Sequence, residues 1–215
     1  MTPEQWISLL KEQRAIAIIR ATDAGIAVRM AETAIYAGMK LIEVTWNREC
    51  TAQVIDHLTQ AYPDCVIGTG TILSVADLEG AIAAGAKFAF SPHMDIDLIQ
   101  MGHLCNLPLV PGALSPTEIV TAWRAGATTI KVFPIKTMGG VEYLNCLRQP
   151  LGHIPLIPTG GVTLDSAFAF LKAGAIAVGM SSHLFPASLV AQNQWDLLSE
   201  RAIAFMHRIN QQHLL

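Results

Sequence analysis

The chain has 215 residues, with 14 Lys and Arg against 17 Asp and Glu, a formal net charge of −3, and 52% hydrophobic residues. Lys and Arg fall singly rather than in a basic cluster, which excludes a nucleic-acid surface, and every apolar run is broken well before the roughly 18 residues of a membrane span. The N-terminus lacks a cationic-then-apolar signal pattern, and Cys50, Cys65, Cys105 and Cys146 include no Cys-x-x-Cys pair, so a reduced, cytoplasmic protein is expected, without a disulfide frame or zinc site.

In chain order, residues 3–13 are expected to form a helix and Ala15 to Arg20 a first strand. Ala-Gly then recurs at Ala37-Gly38, Ala84-Gly85, Ala125-Gly126 and Ala173-Gly174, with Gly-to-Gly spacings of 47, 41 and 48 residues. Each pair closes a helix-like stretch ahead of a short apolar run. Further apolar runs at Cys65 to Thr69, Leu107 to Val110 and Ile154 to Pro158 halve that period to one strand plus one helix. Asn193 to Gln212 reads as a long C-terminal helix. Eight alternating units without a linker predict an α/β fold in one domain over 1–215, a (β/α)8 TIM barrel with an extra N-terminal helix. Near-continuous apolar strands are what parallel strands buried on both faces require. A doubly wound open sheet competes, but no Gly-x-Gly-x-x-Gly follows the first strand.

Five positions after each recurring Gly stand Glu43, Phe90, Lys131 and Gly179, on the second, fourth, sixth and eighth expected strands. Alternate strands of such a barrel supply one interior layer, so Glu43 and Lys131 are expected to meet across it, with Gly179 leaving room. Lys131 lies in Ala-Thr-Thr-Ile-Lys-Val-Phe-Pro (127–134), where burial lowers the pKa of an amine and frees it to attack a carbonyl. A structural Glu–Lys ion pair is the alternative, but such pairs add little stability over apolar packing.

The Pro and Gly clusters at 91–92, 111–112, 139–140 and 158–161 follow strand runs, where active-site loops belong. Pro158-Thr159-Gly160-Gly161-Val162-Thr163 and Gly179-Met180-Ser181-Ser182 suit a phosphate, with Thr163 also placed to cap a helix. The seven histidines show no His-x-His or His-x-x-x-His pattern, which argues against a metal-dependent aldolase. His93 and His183 follow strand ends and are read as solvated hydrogen-bonding groups ahead of pocket residues. Trp46 is read either as a cover over the site or as packing.

Ile42-Glu43-Val44-Thr45, Gly68-Thr69-Gly70-Thr71, Ser91-Pro92, Pro111-Gly112, Lys131-Val132-Phe133-Pro134 and Pro158-Thr159-Gly160-Gly161 together resemble the 2-dehydro-3-deoxy-6-phosphogluconate/4-hydroxy-2-oxoglutarate aldolases over nearly the whole chain. The resemblance implies a class I lyase, a homotrimer that needs neither metal nor cofactor and cleaves a phosphorylated keto-acid to pyruvate and glyceraldehyde 3-phosphate. It implies Lys131 as Schiff-base residue and Glu43 as proton shuttle. It further implies substrate contacts at Thr71 and Thr159, a pocket shaped by Phe133 and Pro92, and phosphate binding at Gly160, Gly161 and Ser182.

Three departures from that family bear on the site. Asn47 stands where enterobacterial-type members carry Arg, with Arg48 displaced by one, so Arg20 is assigned to the pyruvyl carboxylate and Arg48 is the weaker candidate. Asn47 also matches the related 2-dehydro-3-deoxy-6-phosphogalactonate aldolases, whereas Thr45 and Thr159 match the gluconate type. Ser181 replaces a glycine and is expected to narrow the phosphate site. A non-catalytic sugar-phosphate-binding barrel and an acid–base isomerase remain as other classes.

Overall fold

The computed structural model describes residues 1–47 and 50–211. It begins with α1 (Pro3–Gln13), β1 (Ala15–Ile19), α2 (Ala24–Tyr36), β2 (Leu41–Thr45), α3 (Thr51–Ala61) and β3 (Val66–Gly70). Next come α4 (Val75–Ala83), β4 (Ala89–Phe90), α5 (Ile96–Leu104), β5 (Leu109–Val110), β6 (Gly112–Ala113), α6 (Pro116–Arg124) and β7 (Ile130–Val132). A 3₁₀ turn at Lys136–Met138 leads to α7 (Val141–Leu151), β8 (Leu156–Pro158), α8 (Leu164–Lys172), β9 (Val178–Met180), α9 (Ala187–Ala191) and α10 (Trp195–Gln211). Among the described residues no helix is long and apolar enough to cross a membrane.

The expected N-terminal helix forms over 3–13 because its start is over-determined. Gln5 N donates to Thr2 Oγ1, the Gln5 side chain accepts from Thr2 N, and Pro3 occupies the first turn. Trp6 and Leu10, one turn apart, are fully buried, and Trp6 Nε1 donates to Thr129 Oγ1 at 3.0 Å, fastening the helix across 123 residues of chain. The C-terminal helix starts two residues later than expected, after Asn193 in a left-handed conformation (φ 55°). Its expected last residue, Gln212, lies outside the described residues.

All strand pairings are parallel, in a six-stranded sheet of order β5-β4-β3-β2-β1-β9 and a three-stranded sheet of order β6-β7-β8. The expected single ring of eight strands is thus resolved as two parallel sheets. The fifth expected strand, Leu107 to Val110, forms only as β5, and Pro111, which has no N–H for the ladder, separates it from a further strand, so β5 pairs with β4 while β6 pairs with β7. At the other junction Thr159 and Gly179 form one isolated parallel bridge. The six-stranded sheet includes a strand, β1, buried at every residue.

Two apolar clusters lie on opposite faces of these strands. The larger packs α2 through α10 against the strands, and the smaller joins Trp6 and Leu10 of α1 to Ile16, Leu41, Phe88, Phe90, Val110 and Ile157. In the smaller, Trp6 stacks on Phe88 (centroids 5.1 Å) and Phe88 meets Phe90 edge-on (5.7 Å). That aromatic column runs from α1 towards the ends of the strands that carry the ionisable residues.

Candidate active site

Parallel pairing sets Ile18 beside Glu43, Glu43 beside Gly68, and Gly112 and Ile157 on either side of Lys131. Glu43 is 2% exposed and Lys131 5% exposed. Burial raises the Glu43 pKa, against the pull of the Lys131 and Arg20 charges. Burial lowers that of Lys131, opposed by Glu43 and reinforced by Arg20. Lys131 Nζ also lies 4.9 Å from the Phe133 ring centroid and 5.7 Å from that of Phe90. The ring faces favour an ammonium by about 0.5–2 kcal/mol, whereas full burial shifts such groups by as much as about 3–5 pKa units, so desolvation wins.

Glycines make the space. A Cβ on Gly70 would lie 1.7 Å from Glu43 Oε1, and one on Gly68 would lie 2.5 Å from the Phe88 ring. Gly179 does leave room, as expected, but Thr159 uses it: a Cβ there would come within 2.6 Å of Thr159 Oγ1. Gly70→Ala is therefore expected to push the Glu43 carboxylate aside and to lower turnover by about 100-fold, the scale of a misplacement of about 1 Å. Steady-state kinetics beside a thermal melt checks this, and unchanged turnover in a folded variant refutes it.

Glu43, Lys131 and Arg20 open into one cavity of about 720 Å³, whose wall includes Thr45, Phe133 and Thr159. Gly160, Gly161, Ser181 and Ser182 line it too, and Ile26, Met30, Phe185 and Val190 add an apolar side that spacing gave no sign of. Glu43 Oε2 and Thr45 Oγ1 are buried and have no hydrogen-bond partner among the described residues. Buried oxygens without partners are rare in folded proteins, and two of them in one cavity wall mark a place where a ligand with hydroxyl or carbonyl groups belongs.

The cavity wall does not include every residue assigned by resemblance. Thr71, with φ 65° just past β3, and Pro92, past β4, are absent from it. The Pro92 carbonyl instead backs onto Gly112, where a Cβ would meet it at 2.4 Å. Asn47 lines the cavity, but its carboxamide oxygen accepts from Thr51 Oγ1 at 2.8 Å and Cys50 N at 3.3 Å, holding the start of α3. Arg20, exposed at the end of β1, is the guanidinium in the wall, and Arg48 lies outside the described residues.

Neither loop histidine enters the wall. His93 Nε2 stands 3.7 Å from Asp95 Oδ2, and the His183 carbonyl accepts from Arg201 Nε at 2.8 Å. Trp46 packs towards Gly80 of α4, where a Cβ would touch its ring at 3.0 Å, so the packing alternative describes it. Thr163 caps α8 in a reciprocal arrangement with Ser166.

Residues 7–200 match the family model described as Aldolase: KDPG and KHG aldolase. The chain is similar to the 2-dehydro-3-deoxy-phosphogluconate aldolase of Pseudoalteromonas atlantica, 32% identical over 187 residues that cover 87% of each protein. Its structure is similar to that of the KDPG aldolase from Legionella pneumophila with pyruvate captured as a covalent carbinolamine intermediate. The TM-score is 0.86 at 26% identity, covering 95% of this chain and 98% of that one. A structure described as native KDPGal superposes with a TM-score of 0.83 at 27% identity over 94% of this chain and 96% of that one.

Proposed function

The chain belongs to the KDPG and KHG aldolase family, the class I pyruvate lyases, and from that premise we propose how its residues divide the work. The Lys131 amine attacks the C2 carbonyl of 2-dehydro-3-deoxy-6-phosphogluconate, and loss of water from the carbinolamine leaves a protonated imine. Glu43 takes the proton of the C4 hydroxyl, the C3–C4 bond breaks, and glyceraldehyde 3-phosphate departs while the bonding electrons enter the imine as an enamine. The same carboxyl group then returns the proton to C3, and hydrolysis releases pyruvate and the free amine. The imine is the electron sink, so this sequence calls for no metal and no cofactor.

The observation that carries this reading is the pair itself: a nearly sealed lysine with lowered pKa and a nearly sealed glutamate with raised pKa facing one cavity. Arg20 is assigned to the pyruvyl carboxylate, Thr159 and Phe133 to the keto-acid, and Gly160, Gly161 and Ser182 to the phosphate. 4-Hydroxy-2-oxoglutarate, which offers the same C2 carbonyl and C4 hydroxyl, is the expected second substrate. Asn47 and the likeness to the KDPGal structure favour a second reading, cleavage of the C4 epimer 2-dehydro-3-deoxy-6-phosphogalactonate. The proposal extends to the architecture: one (β/α)8 unit over 1–215, closed across Pro111 and the Thr159–Gly179 bridge, acting in the cytoplasm as a homotrimer.

Borohydride in the presence of pyruvate tests the chemistry, because hydride adds to the imine carbon and leaves a secondary amine that survives digestion. Peptide mass spectrometry is expected to find the pyruvyl adduct on Lys131 alone. An untouched Lys131 in folded protein would leave the isomerase and binding-protein classes, which need no imine.

A further inference from the structure

The loop assigned to the phosphate carries no charge of its own. Gly160 and Gly161 take φ of 91° and 79°, Ser181 and Ser182 are neutral, and Arg20 and Lys131 are assigned to the keto-acid end. The start of α8 gives less help than a free helix terminus would. Ser166 N donates to Thr163 Oγ1 at 3.0 Å, Thr163 N donates to Ser166 Oγ at 2.8 Å, and Asp165 of the first turn is paired with Arg208 at 3.2 Å. A phosphate dianion there calls for a cation from another part of the chain.

The 3₁₀ turn that follows β7 brings one. Ile135 N donates to Thr159 O at 3.0 Å and Lys136 N to Gly160 O at 3.2 Å, so this turn is laced to the loop. The Lys136 side chain then crosses Gly161, its Cδ 2.6 Å and its Cβ 2.7 Å from the point where a Gly161 Cβ would stand. Glycine at 161 is what lets the stem lie there, and the ammonium is two bonds beyond Cδ. Lys136 is exposed and makes no ion pair among the described residues. It is not one of the lining residues, but its stem lies on Gly161, which is.

We infer that Lys136 is a specificity-determining residue, whose ammonium, carried across Gly161, neutralises the phosphate end of the substrate. The inference rests on the aldolase reading and on a phosphorylated keto-acid as substrate. It gives Lys136 a role in choosing between phosphorylated and plain substrates and none in the bond-breaking steps.

The test compares wild type with Lys136→Met, which keeps the stem and removes the charge, and with Lys136→Glu. Each is assayed on 2-dehydro-3-deoxy-6-phosphogluconate and on the same keto-acid without its phosphate, beside pyruvate–borohydride trapping. KM for the phosphorylated substrate is expected to rise about threefold to tenfold in Lys136→Met, and further in Lys136→Glu, as for an exposed charge acting on a dianion. KM for the plain substrate, kcat and trapping are expected to stay as in wild type. The difference is expected to close at about 1 M salt, where the Debye length is about 3 Å. An active, trappable wild type whose variants show no change in KM, or equal changes for both substrates, overturns the inference alone. A wild type that neither turns over nor traps pyruvate removes the aldolase reading and the inference with it.

Discussion

Lys131→Met is expected to lower turnover by about 10⁴-fold or more while leaving the fold intact and more stable near neutral pH. The activity loss follows because, among the described residues, no other group in the cavity wall is a buried amine, and without the imine the electrons of the C3–C4 bond have no acceptor. The stability gain follows from burial. The unfolded chain binds a proton on this lysine below its ordinary pKa of 10.5, whereas the folded chain binds it only below a lowered value. Between the two the unfolded state holds more protons, so stability falls as pH drops through that window. Below the folded value the cost is present in full, and above 10.5 it is absent. A thioether of similar length removes that cost, and Glu43, which loses the opposing lysine charge, is expected to take up a proton rather than stay ionised. Urea unfolding should show this gain at neutral pH and its decline as pH approaches 10.5. Retained turnover in the variant would exclude Lys131 as the covalent residue.

Glu43→Gln is expected to lower kcat by about 10²–10⁴-fold, the range for loss of a positioned acid–base group, with pyruvate trapping on Lys131 slowed but still present. The separation matters, because a glutamate that merely paired with the lysine would affect trapping and turnover alike. The pH dependence has a definite sign. The unfolded chain ionises this carboxyl at its ordinary 4.5, and the folded chain only above a raised value, since burial outweighs the Lys131 and Arg20 charges. Folded protein holds the extra proton in that window, so its stability falls as pH rises through it and is greatest from this group below 4.5. Activity moves the other way, because the base that accepts the C4 hydroxyl proton is the ionised form. The rising limb of kcat attributable to Glu43 should therefore lie above pH 4.5 and vanish in the glutamine variant, which should also lose less stability on going from acid to neutral pH. A limb unchanged in Glu43→Gln assigns the titration to another group.

Local pattern was enough to locate most elements. Thr2 and Pro3 opened α1 at the expected residue, the Ala-Gly repeats ended helices ahead of strands, and the apolar runs became parallel strands. The five-residue offset from each repeated Gly put Glu43 and Lys131 on the buried faces of their strands and Phe90 against the lysine. These features follow from steric and periodic rules that act within a few residues, so they are legible in the order of amino acids.

What spacing left open depends on contacts between residues far apart in the chain. Pro111 shows where a strand loses an N–H, but only the pairing of β5 with β4 and of β6 with β7 decides that the ladder divides there. Gly70 is an ordinary glycine until the β2–β3 register, which pairs it with Thr45, brings the Glu43 carboxylate over it. Thr71 and Pro92 carry the family's pattern yet sit outside the cavity wall, while Asn47 faces the cavity with its carboxamide already committed to α3. Lys136 and Gly161 are 25 positions apart and touch because β7 and β8 pair side by side. The amino-acid order by itself determined the α/β alternation and the lysine and glutamate that the interior would hold. Sheet register and the packing of loops over it decided which atoms line the cavity, because those contacts are fixed only when separate segments compete for the same space.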